Sequence, residues 1–208
     1  MTEKILEETG VIAIIRNVTG DDVSRLAEAL FRGGIGLMEV TMNTEGAEEA
    51  IRRLRKEYEG KMCVGAGTVT DRARALAALD AGAEFTVTPN LDYDVIKICR
   101  DKNIPIFPGV FTPTEICSAM NAGCKYIKLF PADSVGAPYI KSILSPLNNA
   151  KIIAVGGINA ENAESFFRAG AVGIGVGGSL CRVPQDGNFS PVTELAHQLI
   201  ETYKTVHH

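Results

Sequence analysis

Short apolar runs alternate with longer amphipathic stretches along the whole chain, and this alternation occurs eight times. Parallel strands buried on both faces form short apolar runs, whereas a period near 3.6 residues indicates a helix with one buried face. The predicted strands are Val11–Ile15, Leu37–Val40, Met62–Val64, Phe85–Val87, Ile104–Phe107, Tyr126–Leu129, Ile152–Val155 and Val172–Val176. The predicted helices are Asp21–Phe31, Ala47–Tyr58, Asp71–Leu79, Tyr93–Arg100, Thr114–Met120, Pro138–Leu144, Ala160–Arg168 and Val192–Tyr203.

Eight successive strand–helix units predict a (β/α)8 TIM barrel that forms a single domain over residues 1–208. The alternative is a doubly wound open sheet. Such a sheet usually carries a Gly-x-Gly-x-x-Gly turn after its first strand. Here the first strand is followed by Arg16-Asn17-Val18, so the barrel is the predicted fold.

The charge and the cysteines of the chain indicate which partners and which cellular compartment to expect. The formal net charge is −4 and no block of Lys and Arg stands apart, which argues against nucleic acid and acidic membrane surfaces as partners. No apolar stretch is long enough to span a bilayer. Five scattered cysteines without a Cys-x-x-Cys motif are typical of a reduced protein, so a cytoplasmic location is expected.

Histidine is scarce in this chain. We set aside His207 and His208 as a tag remnant, which leaves His197 in the last predicted helix. A Ser-His-Asp triad, a Cys-His pair and a His-ligated zinc site are therefore disfavoured. The expected chemistry uses carboxylate, lysine, hydroxyl and backbone groups, with no metal and no cofactor.

Two charged residues interrupt apolar strands at the strand ends where barrel enzymes place their catalytic groups. Burial of Lys128 would lower the pKa of its amine and make it a nucleophile; alternatively, the ammonium group extends to water at the strand end. Glu39 would be a general acid/base in the same pocket. The alternative for Glu39 is a purely structural buried ion pair with Lys128 or Arg16.

Polar and glycine residues follow several other predicted strands. The glycines after strands seven and eight, Gly156-Gly157 and Gly177-Gly178, are typical of phosphate sites, although tight turns also need glycine. Ser179 would add a hydroxyl donor and begin a short helix. Arg16 is a candidate for carboxylate or phosphate recognition. Thr68, at the end of a Gly-Ala-Gly-Thr turn, could help to hold a carboxylate in a backbone nest.

Seven segments together resemble the 2-keto-3-deoxy-6-phosphogluconate (KDPG) aldolase family over nearly the whole chain. The segments are Glu39-Val-Thr, Gly65-Ala-Gly-Thr-Val, Val87-Thr-Pro-Asn, Pro108-Gly-Val, Lys128-Leu-Phe-Pro-Ala, Gly156-Gly-Ile and Gly177-Gly-Ser. The resemblance implies a class I, Schiff-base aldolase of carbohydrate metabolism (the Entner–Doudoroff pathway). It also implies a homotrimeric (β/α)8 barrel.

The resemblance also implies roles for individual residues. Lys128 would form the Schiff base, Glu39 would be the acid/base, and Thr68 would lie near the substrate carboxylate. Pro89 and Phe130 would line the pocket. The phosphate site would consist of Gly156, Gly157, Gly178 and Ser179. The implied partners are a phosphorylated 2-keto-3-deoxy sugar acid and pyruvate, and 4-hydroxy-2-oxoglutarate (KHG) is a further candidate substrate.

Two positions depart from the gluconate pattern. Asn43 stands where many of those enzymes have arginine, and Val155 stands where they have threonine. Both departures resemble the 2-keto-3-deoxy-6-phosphogalactonate (KDPGal) relative. A threonine hydroxyl can hydrogen-bond the C4 oxygen of the substrate, whereas valine cannot.

The predicted reaction is cleavage of KDPG to pyruvate and glyceraldehyde 3-phosphate, and the galactonate epimer is the alternative substrate. Two functions of other classes stay open from the residues. One is a different barrel enzyme, an isomerase or synthase, that recognises a phosphorylated substrate and uses Lys128 only electrostatically. The other is a non-catalytic barrel that binds a sugar phosphate.

Overall fold

A computed structural model describes residues 1–207; His208 lies outside the described residues. The strands are β1 Val11–Ile15, β2 Leu37–Thr41, β3 Cys63–Gly67, β4 Thr86–Val87, β5 Ile106–Phe107, β6 Gly109–Val110, β7 Tyr126–Leu129, β8 Lys151–Val155 and β9 Gly173–Val176. The helices are α1 Thr2–Thr9, α2 Asp22–Arg32, α3 Ala47–Glu57, α4 Arg72–Asp80, α5 Tyr93–Asp101, α6 Pro113–Asn121, α7 Ala137–Leu144, α8 Ala163–Arg168 and α9 Ser190–His207. A 3-10 turn, Ala132–Ser134, precedes α7.

The strands form one parallel sheet in the order β5-β4-β3-β2-β1-β9-β8-β7-β6. The two strands at the ends of this order, β5 and β6, are separated in the chain only by Pro108, so the sheet closes on itself. Pro108 has no N–H to donate to a strand ladder, which explains the break. Its carbonyl still accepts a hydrogen bond of 2.9 Å from the Lys128 N–H. The predicted barrel is confirmed, and the open-sheet alternative is wrong.

Side chains alternate between the interior of the barrel and the layer of helices, as the period of two in a strand requires. The interior cluster consists of Leu6, Ile12, Ile14, Leu37, Cys63, Phe85, Val87, Phe107, Tyr126, Ile153 and Val155. Glu39 lies two residues after Leu37, and Lys128 lies two residues after Tyr126. Both charged side chains therefore share the interior face with these apolar residues, above them toward the carboxyl ends of the strands.

Strand β3 is longer than predicted and includes Gly65 and Gly67. The Gly-Ala-Gly-Thr segment is therefore not a turn with a backbone nest, and that prediction is wrong. A Cβ at Gly65 would lie 2.6 Å from the Phe85 ring, and a Cβ at Gly67 would collide with the Glu39 carboxyl. The two glycines leave space inside the barrel for these larger side chains.

Helix α1 is absent from the sequence prediction. Its Leu6 is fully buried in the interior cluster, and the Tyr126 hydroxyl donates to the Glu7 carboxylate, so α1 covers the amino-terminal end of the barrel.

Helix α9 extends to His207, whose ring stacks on Tyr203 at 4.2 Å between centroids. The other predicted helices are present with ends that differ by a few residues. Within residues 1–207, no helix combines the length and apolar character needed to cross a membrane.

Candidate active site

Lys128 lies inside the barrel near the carboxyl end of β7. Its side chain is only 5% exposed, which does not fit an ammonium group extended into water. The amine Nζ lies 4.8 Å from the centroid of the Phe130 ring. Burial lowers the pKa of Lys128; the negative charge of Glu39 opposes this shift, and the positive charge of Arg16 adds to it. The lower pKa increases the fraction of neutral amine, which is the nucleophilic form.

Glu39 lies at the centre of β2 and is 2% exposed. Burial raises the pKa of its carboxyl to about 7, although Lys128 and Arg16 act to lower it. Oxygen Oε2 is buried and has no hydrogen-bond partner among the described residues. Within the same residues, neither Glu39 nor Lys128 forms an ion pair within 4.0 Å, so the predicted alternative of a structural ion pair is not observed. A carboxyl with this pKa can take up and release protons near neutral pH.

A pocket of about 440 Å³ opens at the carboxyl ends of the strands, directly above the Lys128 amine. The predicted site residues that line it are Arg16, Lys128, Phe130, Val155, Gly156, Gly157, Gly178 and Ser179. Ile14, Gly175 and Asn159 also line the pocket, and they are not among the residues predicted from the sequence. Alternation along β1 could have indicated Ile14, since it lies two residues after Ile12 on the interior face.

The β8–α8 and β9–α9 loops form the wall of the pocket that carries the glycines. The backbone N–H groups of Gly157, Ile158, Gly178 and Ser179 donate no hydrogen bond to any residue within 1–207. The Asn162 side-chain amide donates to the Gly157 carbonyl at 2.9 Å, which orders this loop. Clustered free N–H groups form a site for an anion.

The prediction for Ser179 needs a correction. Its hydroxyl donates to the Ile158 carbonyl at 2.9 Å and thereby ties the two loops together. No helix begins at Ser179: the N–H groups of Leu180 and Cys181 both bond to the Gly177 carbonyl, which closes a single turn. The Ser179 side chain therefore fixes the loop, and its backbone N–H has no partner among residues 1–207.

Arg16 connects the other side of the pocket to two predicted site residues. Its guanidinium donates to Asn43 Oδ1 at 3.3 Å and to Thr68 Oγ1 at 3.4 Å. Thr68 has a positive φ of 55° just after β3, which directs its side chain away from the line of the strand. The three side chains form a polar cluster at the mouth of the pocket, and this cluster could bind a carboxylate.

Four predicted site residues are not among those that line this pocket: Glu39, Asn43, Thr68 and Pro89. Of these, Pro89 lies at the start of the β4–α5 loop. Its backbone packs against Gly109, where a Cβ would collide with the Pro89 carbonyl. Gly109 pairs with Lys128 across β6 and β7. The Pro89 backbone therefore packs beside the strand pair that carries Lys128.

Comparison with known proteins assigns the chain to a family. The family described as "Aldolase: KDPG and KHG aldolase" matches residues 2–195. The chain belongs to the KDPG and KHG aldolase family. It is therefore an aldolase, that is, a carbon–carbon lyase.

Individual members of the KDPG and KHG aldolase family align with nearly the whole chain. The 2-dehydro-3-deoxy-phosphogluconate aldolase of Haemophilus influenzae is 32% identical over 210 residues, which cover 98% of each chain. A structure titled "Native KDPGal structure" has a TM-score of 0.88, is 30% identical and covers 94% of this chain and 95% of its own.

A KDPG aldolase from Legionella pneumophila, with pyruvate captured as a covalent carbinolamine, has a TM-score of 0.87 and 30% identity. The match covers 96% of this chain and 98% of that one. None of these relatives supports the isomerase, synthase or non-catalytic alternatives.

Proposed function

We propose that this aldolase cleaves KDPG to pyruvate and glyceraldehyde 3-phosphate through a Schiff base on Lys128. The observation that carries the proposal is the position of a buried amine, whose pKa is lowered, in a pocket where the loops after the next two strands offer four backbone N–H groups without a partner among residues 1–207. The carbinolamine named for the Legionella relative is the covalent precursor of such a Schiff base. Reductive trapping of a pyruvate adduct on Lys128 tests the proposal.

The reaction begins when the neutral amine of Lys128 attacks the C2 carbonyl of the substrate. The resulting carbinolamine loses water and becomes an iminium ion, which withdraws electrons from C3. Glu39, directly or through a water, removes the proton of the C4 hydroxyl, and the C3–C4 bond breaks to release glyceraldehyde 3-phosphate. The electron pair of that bond remains as an enamine. Protonation of the enamine at C3 and hydrolysis of the new iminium release pyruvate and restore the amine.

Both ends of the substrate have candidate binding groups. The free N–H groups of the glycine loops would hold the phosphate, which is remote from the bond that breaks. Arg16, supported by Asn43 and Thr68, would bind the carboxylate. Binding energy from these two ends would orient C2 toward the amine, which is how remote groups accelerate a reaction.

We expect activity without a divalent cation. The iminium supplies the electron withdrawal that a metal would otherwise provide, and the sequence has no histidine at a strand end. Turnover measured after dialysis against EDTA should equal turnover before it. Loss of activity in the chelator, with recovery on addition of a divalent cation, would contradict the class I mechanism.

Val155 is the residue that we expect to bear on the choice of C4 epimer. Its side chain faces the pocket, with Gly175 leaving space beside it. Since valine offers no hydrogen bond to the C4 oxygen, the wild type should accept both KDPG and KDPGal with a modest bias. Val155→Thr should shift the ratio of kcat/KM values toward KDPG several-fold, because one such bond to a neutral group contributes about 1 kcal/mol.

Val155→Ala is the matched control for this shift, because it changes the volume without adding a donor. A similar shift in Val155→Ala would assign the effect to volume. No shift in Val155→Thr, combined with a strong wild-type preference for KDPG, would show that Val155 does not govern the choice.

We further propose activity on KHG, which carries the same reacting 2-keto-4-hydroxy unit.

We also propose that the protein assembles as a homotrimer and is located in the cytoplasm. Family membership supports the trimer, and partly exposed apolar side chains such as Tyr93 (57%) and Leu76 (43%) are available for contacts between subunits. The five free cysteines are consistent with a reducing compartment. Sedimentation equilibrium of the purified protein tests the trimer, since a monomer at working concentration would contradict it.

A further inference from the structure

Two buried threonine hydroxyls lie beneath the mouth of the pocket and have no part in the reaction described above. Thr41 ends β2 and is fully buried, and Thr44 is 6% exposed. Their Oγ1 atoms are 2.9 Å apart, and the Thr44 N–H donates to the Thr41 carbonyl at 2.8 Å. The two residues therefore fix the start of the β2–α3 loop to the end of its strand.

Thr44 also binds the loop that follows β1. The Asn17 N–H donates to Thr44 Oγ1 at 3.0 Å. Asn17 has a φ of 55°, in the left-handed region that residues other than glycine adopt at some energetic cost. A hydrogen bond from this N–H favours the left-handed corner over extended alternatives. Because Arg16 immediately precedes Asn17, the corner sets the direction in which the Arg16 side chain leaves the barrel.

Thr44 is also next in sequence to Asn43, whose side chain accepts a hydrogen bond of 3.3 Å from the Arg16 guanidinium. The Thr44 hydroxyl thus connects the backbone turn at Asn17, next to Arg16, with the β2–α3 loop that contains Asn43. Arg16 itself is exposed, so it has no packed shell of its own to hold it over the pocket.

We propose that Thr44, with Thr41 as its hydroxyl partner, is a positioning residue that keeps Arg16 at the mouth of the pocket for the substrate carboxylate. This inference rests on the proposed function, which gives Arg16 that ligand. Without the hydroxyl of Thr44, Arg16 occupies the competent orientation for a smaller fraction of the time, and the apparent affinity for substrate falls by that fraction. Lys128 lies on β7, and Glu39, although only two residues before Thr41 on β2, is held by strand pairing on both sides, so both keep their geometry.

Thr44→Val removes the hydroxyl and keeps the branched shape. We expect it to raise KM for KDPG about tenfold while kcat stays within about twofold, because a contact made equally in the ground state and the transition state is weakened. Thr44→Ser should restore a near-wild-type KM. An unchanged KM in Thr44→Val, a fall in kcat alone, or a serine variant as impaired as the valine variant would overturn the proposal. Thr44→Ala serves as a second variant if Thr44→Val does not fold.

A double-mutant cycle with Arg16→Ala separates positioning from a general loss of structure. If Thr44 acts through Arg16, Thr44→Val should have almost no further effect on KM in the Arg16→Ala background. Full additivity would overturn the proposal. A wild type that fails to cleave KDPG would refute the proposed function instead. The crystal structure of Thr44→Val would still test the inference about Thr44. A displaced Arg16 would support the inference, and an undisturbed Arg16–Asn43 contact would overturn it.

Discussion

Replacement of Lys128 by methionine should reduce the turnover of KDPG by on the order of 10⁴- to 10⁶-fold, the range typical when a nucleophile is lost. Methionine has a similar length and is apolar, so it suits a buried position beside Phe130. It cannot form an iminium ion, and the carbanion that develops at C3 then has no electron sink. Steady-state assays with coupled detection of pyruvate measure the loss.

Lys97→Met is the matched control for the Lys128 variant. Lys97 lies on the surface of α5 and pairs with Asp101, so its replacement should leave turnover unchanged. The melting temperature of Lys128→Met should equal or exceed that of the wild type, because a buried amine is replaced by an apolar group. A folded Lys128→Met protein with substantial turnover would assign the chemistry to another residue.

Glu39→Gln is expected to slow turnover by roughly 10²–10⁴-fold, the usual contribution of a general acid/base. Glutamine keeps the shape of the side chain beside Gly67 but cannot accept the C4 hydroxyl proton. Pyruvate binding and the fold should persist, because burial already disfavours a charge at this position. Glu164→Gln, on the exposed side of α8, is a control with the same chemical change. A near-normal rate in folded Glu39→Gln would leave Glu39 a structural role only.

The pH profile of the wild type should show an acid limb near pH 7. As pH falls, Glu39 takes up a proton at its raised pKa of about 7, and the Lys128 amine also becomes protonated. Both changes remove a reactive form, so kcat/KM decreases toward low pH. In Glu39→Gln the carboxyl titration is absent, and the pKa of Lys128 falls further because the neighbouring anion is gone. The acid limb of the residual rate should therefore move to lower pH.

Much of the barrel follows from local pattern, since most strands are short apolar runs and most helices have one apolar face. Helix α1 could not be predicted in this way. Its buried residues are Thr2 and Leu6, so it has no repeating apolar face, and its position depends on the barrel end that it covers. The second short strand after Pro108, β6 Gly109–Val110, was likewise hidden, because the predicted strand ended at Phe107 and a proline does not suit the interior of a sheet.

The buried positions of Glu39 and Lys128 were predictable, because a charged residue inside an apolar strand is conspicuous. The predictions that differ from the structure depend on contacts between residues far apart in the sequence. The glycines of β3 suggested a turn, whereas glycine is needed there because Phe85 and Glu39 occupy the space that a side chain would fill. Pro89 supports the wall next to Lys128 through its backbone, and its motif gives no sign of that orientation.

The most direct test of Schiff-base catalysis is reductive trapping with pyruvate and borohydride, followed by peptide mapping by mass spectrometry. We expect one stable adduct per chain, in the peptide that contains Lys128, and no adduct in Lys128→Met. Labelling of another lysine, such as Lys125 or Lys151, or an active enzyme that cannot be trapped, would contradict it.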